Sequence, residues 1–188
     1  TWGSPVQAYS GGYDAIAVKI SNSGAFSWNT FMGDAGSNDL GYGIALDGVG
    51  NLYLTGYSQA TWGSPWSAYS GGMDAFAVQL NSSGTRTWNT FLGGSGTDSG
   101  NGVAVDGSGN VYVAGYSSAT WGSPVRAYSS GDDGFLTKIY SPVPGFTVTP
   151  TSGLTTTEAG GTAQFTVVLN TAPTYDVTIG ISVSDTTE

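Results

Sequence analysis

The sequence contains no histidine and no cysteine, and only four lysine or arginine residues stand against thirteen aspartate or glutamate residues. Without imidazole or thiol groups, the commonest acid–base catalysts and nucleophiles of enzymes are absent. The formal net charge of -9 opposes nucleic-acid binding, because so acidic a chain repels phosphate and offers no basic stripe. We therefore expect neither an enzyme nor a nucleic-acid-binding protein.

Long apolar segments are also missing from the sequence. No apolar run approaches the roughly 18 residues that a membrane-spanning helix requires, and the first residues do not resemble a signal peptide. The chain opens without methionine and inside a repeated motif. We expect it to be a processed or excised piece of a longer protein.

What the sequence does contain is a repeat. The motif TWGSP begins at Thr1, Thr61 and Thr120, and 20 of 32 positions are identical between residues 1–32 and 61–92. A fixed period of this size is typical of propellers, solenoids and tandem arrays. One such unit cannot bury its own apolar face, so neighbouring units must cover it.

Each repeat alternates apolar residues with period 2, which predicts β-strands. In DAIAVKI, the large residues Ile16, Val18 and Ile20 face one way, and Ala15 and Ala17 face the other. The same reasoning predicts nine strands: 14–20, 26–32, 41–47, 51–58, 74–80, 86–92, 100–106, 110–117 and 133–139. Four strands per repeat match the blade of a β-propeller, and frequent glycine leaves no room for helices. The predicted fold class is all-β, a partial β-propeller of about two and a quarter blades.

The turn DGSGN and the strands around it resemble a known family. DGSGNVYVAGYS, a loop containing SPVRAYSS, and DGFLTKI are similar to the bacterial seven-bladed β-propeller repeat (SBBP repeat). Gly50-Asn51, Tyr53 and Gly56 recur as Gly109-Asn110, Tyr112 and Gly115 at the same spacing. The resemblance covers about residues 1–140 and implies four-stranded antiparallel blades. A closed ring of four to eight blades is longer than this segment.

The composition changes at residues 141–145, where SPVPG predicts a linker. Four strand-like runs follow in residues 146–188, and TEAGGTAQFTVVL with the later PTYDVT resembles the front half of a Calx-β domain, an immunoglobulin-like sandwich. The predicted domain is an incomplete β-sandwich, because such a sandwich needs about seven strands. The resemblance implies that Glu158 and Asp185 contribute to a calcium site that lacks its other ligands. No other cofactor is expected.

The aromatic loops that follow TWGSP have two interpretations. Their rings form a platform on which a sugar stacks, or they fold back over the blade and are buried. The ring positions concerned are Trp62, Trp66, Tyr69, Trp121 and Tyr128. We favour packing, because every copy carries the aromatics. The strand residues Trp28 and Trp88 are predicted to be core.

Loop carboxylates offer oxygen ligands for calcium, but no spacing follows a defined calcium motif. The carboxylates concerned are Asp34, Asp39, Asp98, Asp132 and Asp133. Solvated turn residues are the simpler interpretation.

The predicted function is a non-enzymatic structural or adhesive module of a bacterial extracellular or cell-surface protein. Two alternatives remain open: a lectin-like propeller that binds surface glycans, and a self-assembling subunit of a polymer or ring. The expected partners are other copies or the rest of the parent chain, because two rows of apolar residues are predicted to face water at the two ends of the blade stack. These rows are Ile16, Val18 and Ile20, and Phe135 and Ile139.

Overall fold

The structure, a computed structural model, describes residues 2–140, 146–152 and 163–169. The chain divides into two compact units, Thr1–Tyr140 and Ser141–Glu188, each of which is described by itself. The described residues form eleven β-strands and no α-helix. The predicted all-β class is confirmed.

Nine strands form the first unit. They are β1 (Ala15–Ile20), β2 (Phe26–Met32), β3 (Asp39–Leu46), β4 (Leu52–Ser58), β5 (Asp74–Leu80), β6 (Arg86–Leu92), β7 (Asp98–Val105), β8 (Val111–Ser117) and β9 (Asp133–Ile139). The bounds of β2, β5, β6 and β9 are those predicted, and the other bounds differ by one or two residues at an end. The period-2 pattern therefore located every strand of this unit.

The nine strands form three antiparallel sheets in which consecutive strands are neighbours. The first sheet is β1-β2, the second is β3-β4-β5-β6, and the third is β7-β8-β9. The second sheet has all four strands. It combines the last two strands of one sequence repeat with the first two of the next, because β4 pairs with β5 across the TWGSP loop at Thr61. A sheet is therefore offset by half a repeat from the sequence unit.

Tight hairpins connect β3 to β4 and β7 to β8. The Asp47 carboxylate accepts hydrogen bonds from the backbone N–H of Val49 and Asn51, at 3.0 and 2.9 Å. Asp106 does the same in the third sheet, and hydrogen bonds led by the Asn110 side chain lower the pKa of Asp106 to about 2. These carboxylates form turns, as the DGVGN and DGSGN motifs predict.

Large side chains of one sheet pack against small side chains of its neighbour. Phe76, Val78 and Leu80 of β5 are fully buried against the face of the first sheet that carries Ala15 and Ala17. Small residues let the backbones approach, so the large ones fill the space between sheets at crystal-like density. The alternation of large and small residues along each strand therefore specifies how the sheets stack.

The next interface repeats this arrangement. Ala75 and Ala77, on the other face of β5, share a buried cluster with Val111 and Val113 of the third sheet. Phe135 and Ile139 pack against the same cluster. The prediction that Phe135 and Ile139 face water is therefore wrong: they cover the second sheet, and Leu136, which points to the opposite face, is 74% exposed.

The predicted open face at the other end of the stack is present. Ile16 and Ile20 of β1 are 42% and 63% exposed, whereas Val18 of the same predicted row is partly buried. Ile44 and Leu46 of β3, on the face that Leu52 shares, are also exposed, because the first sheet contributes only two strands. We call the set Ile16, Ile20, Ile44 and Leu46 the first lateral face.

A β-bulge interrupts the β3–β4 pair of the second sheet and the β7–β8 pair of the third sheet. The register of β3 shifts between Gly41 and Gly43 opposite Gly56 of β4, and the Leu40 carbonyl oxygen lies where a Gly56 side chain would begin. The third sheet has the same bulge, with the Ser99 carbonyl oxygen against Gly115. Glycine at these positions lets two backbones approach more closely than any side chain permits.

In the second unit, the described residues include one strand pair. Strands β10 (Phe146–Thr149) and β11 (Thr166–Leu169) pair antiparallel, with Phe146 opposite Leu169. Both lie within predicted strand-like runs. The other two predicted runs, 154–158 and 176–185, lie outside the described residues.

Candidate functional site

The aromatic loops are the most elaborate feature outside the strands. In the second repeat, Trp62 is buried and its ring meets Phe76 and Phe91 edge-on, at centroid distances of 5.3 and 5.6 Å. Its indole N–H donates to the Ser58 hydroxyl at 3.2 Å, and its carbonyl oxygen accepts from the Asn89 side chain at 2.9 Å. This tryptophan joins the loop to β4, β5 and β6.

The loop also extends the sheet by backbone hydrogen bonds along the outer edge of β6. The Trp66 N–H donates to the Asn89 carbonyl oxygen at 3.0 Å, and the Phe91 N–H donates to the Ser67 carbonyl oxygen at 3.1 Å. The first repeat has the matching pairs on β2: Val6 N–H to Asn29 O at 2.8 Å, and Phe31 N–H to Gln7 O at 3.1 Å. In these two repeats the loop lies beside the outer strand in the position of a further strand.

A tyrosine and an aspartate hold the end of each loop. The Tyr69 hydroxyl donates to the Gly72 carbonyl oxygen at 2.8 Å, and the Ser70 N–H and hydroxyl both donate to the Asp74 carboxylate at 2.8 Å. The same bonds occur at Tyr9 and Asp14 and at Tyr128 and Asp133. This polar network fixes where the next strand begins.

The five ring positions considered for glycan binding belong to two loops: Trp62, Trp66 and Tyr69 to one, and Trp121 and Tyr128 to the other. Trp62 is in the core, and Trp121 packs edge-on against Phe135 at 5.2 Å. Trp66 is 48% exposed and stacks on Trp88 at 4.5 Å. Tyr69 and Tyr128 are partly buried. Glycan binding stays a prediction, and Trp66 is the ring of this set with most surface open to a sugar.

Arg86 lies beside the same loop. Its guanidinium carbon is 5.7 Å from the centre of the Trp62 ring, and burial lowers the pKa of Arg86. Its Nη1 atom is buried without a hydrogen-bond partner. The group is therefore held mainly by its contact with the aromatic ring, which is the electrostatic attraction of a cation to a π face.

In two places, a carboxylate at the end of an aromatic loop lies near a carboxylate that begins the first strand of the next sheet. Asp74 and Asp98 are fully buried, and a side chain on Gly93 would lie 2.6 Å from Asp98 Oδ2 and 2.9 Å from Asp74 Oδ1. Gly33 has the same relation to Asp14 and Asp39. Sequence reasoning treated Asp39 and Asp98 as loop residues and missed this pairing, although their recurrence at the same place in the repeat, 59 residues apart, was a usable signal.

The two pairs differ in hydrogen bonding. The Ser58 hydroxyl bonds to Asp39 Oδ1 as well as to the Ala60 carbonyl oxygen. The matching Ser117 hydroxyl bonds to the Ala119 carbonyl oxygen and not to Asp98, whose Oδ1 is buried without a partner among the described residues. Asp74 Oδ1 is also buried and unpartnered. Burial, and less strongly the charge of Asp98, raise the pKa of Asp74 despite its bonds from Ser70.

We expect Asp74→Asn to stabilise the protein at pH 7 by about 1 kcal/mol. The amide keeps an acceptor for Ser70, can donate toward Asp98, and removes one of two neighbouring buried charges. The folded-state pKa of Asp74 is raised above its ordinary value of 3.8. The folded protein therefore loses stability as the pH rises from 3.8 through the folded-state pKa of Asp74, because the buried carboxyl must ionise there. Asp74→Asn has no carboxyl at this position and lacks this loss. Urea denaturation between pH 3 and 7 measures both effects.

Asp14→Asn is the matched control for that substitution. Asp14 holds the same position in the first repeat, but it is only partly buried and both of its carboxylate oxygens accept hydrogen bonds from Ser10. No stabilisation is expected there. A loss of stability at pH 7 in Asp74→Asn would show that the Asp74 charge is stabilising in place.

The loop carboxylates were candidate calcium ligands in the described part of the chain. There, no group of three or more histidine, cysteine, aspartate or glutamate residues is placed to hold a metal ion. The predicted calcium residues Glu158 and Asp185 lie outside the described residues, so that site stays a prediction. Asp47, Asp106 and Asp133 bind backbone N–H groups of their own loops instead.

The first unit is thus an all-β assembly of stacked antiparallel sheets, the architecture of a partial β-propeller. Two of its segments, residues 31–61 and 87–120, match the family model of the SBBP beta-propeller repeat. Each matched segment contains the bulged strand pair and its Asp-Gly turn. No curated protein matches the chain. In the residues that the structure describes, no helix is long and apolar enough to cross a membrane.

Proposed function

We propose that the chain is a non-enzymatic structural or adhesive module of a bacterial extracellular or cell-surface protein. In this proposal the SBBP-like architecture extends over residues 1–140, and residues 146–188 form part of a Calx-β-like sandwich. The two matched repeats support the first assignment. The second rests on the sequence resemblance alone.

A non-catalytic role agrees with the chemistry of the side chains. The sequence has no histidine or cysteine, and Asp47 and Asp106, the carboxylates of two hairpin turns, are hydrogen-bonded to their own loops. Such carboxylates stabilise turns rather than activate a nucleophile or transfer a proton.

The observation that carries the proposal is the first lateral face. Four aliphatic side chains are exposed at one end of the stack, each by 42–63%: Ile16 and Ile20 on the first sheet, and Ile44 and Leu46 on the second. The corresponding large side chains of β5, Phe76, Val78 and Leu80, are fully buried by a neighbouring sheet. Exposed aliphatic side chains at the end of a stack of sheets offer apolar surface that a protein partner can bury. We infer that further protein covers it, from the parent chain or from other copies.

Sedimentation of the 188-residue chain at micromolar concentration tests this proposal. We expect self-association, because exposed aliphatic rows at this face gain about 25 cal/mol for each Å² buried. The double substitution Ile20→Lys with Leu46→Lys places two charges in the face and should yield a monomer.

Val49→Lys is the matched control for the charged variant. Val49 is 81% exposed in the turn between β3 and β4, outside the first lateral face, so its replacement should leave the association unchanged. A wild-type chain that is monomeric at every concentration and melts cooperatively would contradict the proposal.

A further inference from the structure

We propose that the groove between β9 and residues 123–127 binds an extended strand of another polypeptide that carries the sequence Trp-Asn-Thr-Phe. The occupant would lie antiparallel to β9 and complete the third sheet as its fourth strand. This groove is separate from the first lateral face. If the peptide fails to bind, this proposal fails, but the sedimentation test of the proposed function is unaffected.

The second sheet shows what such a groove accepts. There, β6 lies between β5 and the aromatic loop, paired with β5 in a register that sets Phe91 opposite Phe76 and Asn89 opposite Val78. The Asn89 side chain donates to the Trp62 carbonyl oxygen, and the Asn89 backbone carbonyl oxygen accepts from the Trp66 N–H. Both edges and one side chain of the strand are therefore recognised.

Aromatic contacts add specificity for the phenylalanine. Phe91 lies with its ring 5.6 Å from that of Trp62 and 6.0 Å from that of Tyr69, in both cases edge-on. In the first sheet, Phe31 of β2 meets Tyr9 in the same way at 5.8 Å, and the Asn29 side chain donates to the Trp2 carbonyl oxygen. In both occupied grooves, the asparagine side chain donates to the carbonyl oxygen of the loop tryptophan, and the phenylalanine ring meets the loop tyrosine edge-on.

The third repeat keeps the walls of this groove. Trp121 meets Phe135 edge-on at 5.2 Å, as Trp62 meets Phe76 at 5.3 Å, and the Tyr128 hydroxyl donates to the Gly131 carbonyl oxygen at 2.9 Å. Among the described strands, β9 pairs with β8 alone. Between β9 and the loop lies a cavity of about 630 Å³.

The unoccupied hydrogen-bonding groups follow from the repeat alignment. Val125 takes the place of Val6 and Trp66, whose N–H groups donate to the asparagine carbonyl oxygen. Its side chain is fully exposed, and its N–H has no hydrogen-bond partner among the described residues. The Arg126 and Trp121 carbonyl oxygens correspond to the Ser67 and Trp62 carbonyl oxygens, which accept hydrogen bonds from β6 in the second sheet. An incoming strand therefore meets one donor and two acceptors already placed along the loop.

The probe is a nine-residue peptide with the sequence of residues 85–93, TRTWNTFLG, capped at both ends. Calorimetric titration into the 188-residue chain should show saturable one-to-one binding. Replacing the asparagine of the peptide by alanine removes the bond to the Trp121 carbonyl oxygen and should weaken binding about tenfold.

Val125→Pro tests the protein side, because proline removes the N–H donor. It should weaken binding about tenfold, while Val125→Ala, which keeps the N–H, should bind like the wild type. Equal melting temperatures of the two variants would show that the groove is intact in both. The proposal is overturned if the peptide does not bind saturably, or if it binds Val125→Pro as tightly as Val125→Ala.

Discussion

Replacing Trp88 by alanine should cost about 3–5 kcal/mol of folding free energy, the range for a large aromatic removed from a packed core. Trp88 is 7% exposed and lies in the cluster between the second and third sheets, where it also contacts the rings of Trp66 and Tyr53. Its loss would open a cavity at the interface and release Trp66 from its stacking partner. Chemical denaturation followed by circular dichroism measures the change.

Trp28 provides the comparison, since it occupies the same strand position in the first repeat. Its ring is only partly buried, lies against the turn that contains Gly84, and donates to the Ser82 carbonyl oxygen at 3.1 Å. Trp28→Ala should therefore cost about 1–2 kcal/mol. If the two variants lost equal folding free energy, both rings would be similarly covered. That result would contradict the burial of Trp88 between the second and third sheets.

The second large effect is expected at Gly56. A methyl group there would overlap the Leu40 carbonyl oxygen across the bulge, and backbone cannot move aside as a flexible side chain can. Gly56→Ala should cost about 3 kcal/mol, because relief requires a shift of β3 against β4. The midpoint of thermal unfolding measures this loss.

Gly102→Ala is the control for this steric effect. Gly102 lies in the bulged strand β7 with open space where its side chain would begin, and it has no positive φ. Its stability should stay within about 0.5 kcal/mol of the wild type. A Gly56→Ala protein as stable as Gly102→Ala would show that the bulge is not required.

Much of the fold follows from local pattern. Strand positions are fixed by the alternation of large and small residues, as in Phe76 to Leu80, and this pattern is independent of how sheets pair. The boundary between sheets is not local. Nothing near Thr61 signals that β4 pairs with β5 across the aromatic loop, so the half-repeat offset emerges only from the three-dimensional pairing.

That offset also explains why the predicted exposure of Phe135 and Ile139 was wrong. Counting blades from Thr1 leaves β9 as the start of an uncovered blade, whereas β9 belongs to a sheet with β7 and β8 that packs on its predecessor. The open face at β1 was predictable from the sequence, but the covering of Phe135 and Ile139 by the second sheet was not.

In the candidate sites, too, features set by local pattern were predictable and contacts between distant elements were not. Repetition of the aromatics favoured packing over ligand binding, and Trp62 lies in the core accordingly. The carboxylate pair of Asp74 and Asp98 was not predicted, because the two residues are far apart in sequence and meet only where a loop reaches the next strand pair. The repeat period shows that these carboxylates recur, but it does not show which of them meet.

The half-repeat offset has a consequence for how such a gene gains and loses length. Recombination between two copies of the TWGSP codons joins a β4-type strand, through an equivalent loop, to a β5-type strand, whichever copies are used. The breakpoint falls inside a sheet whose two halves remain matched in register. Copy number can therefore change by whole sheets without producing a mispaired strand, and the chemistry of both ends of the stack is inherited unchanged by the longer or shorter product.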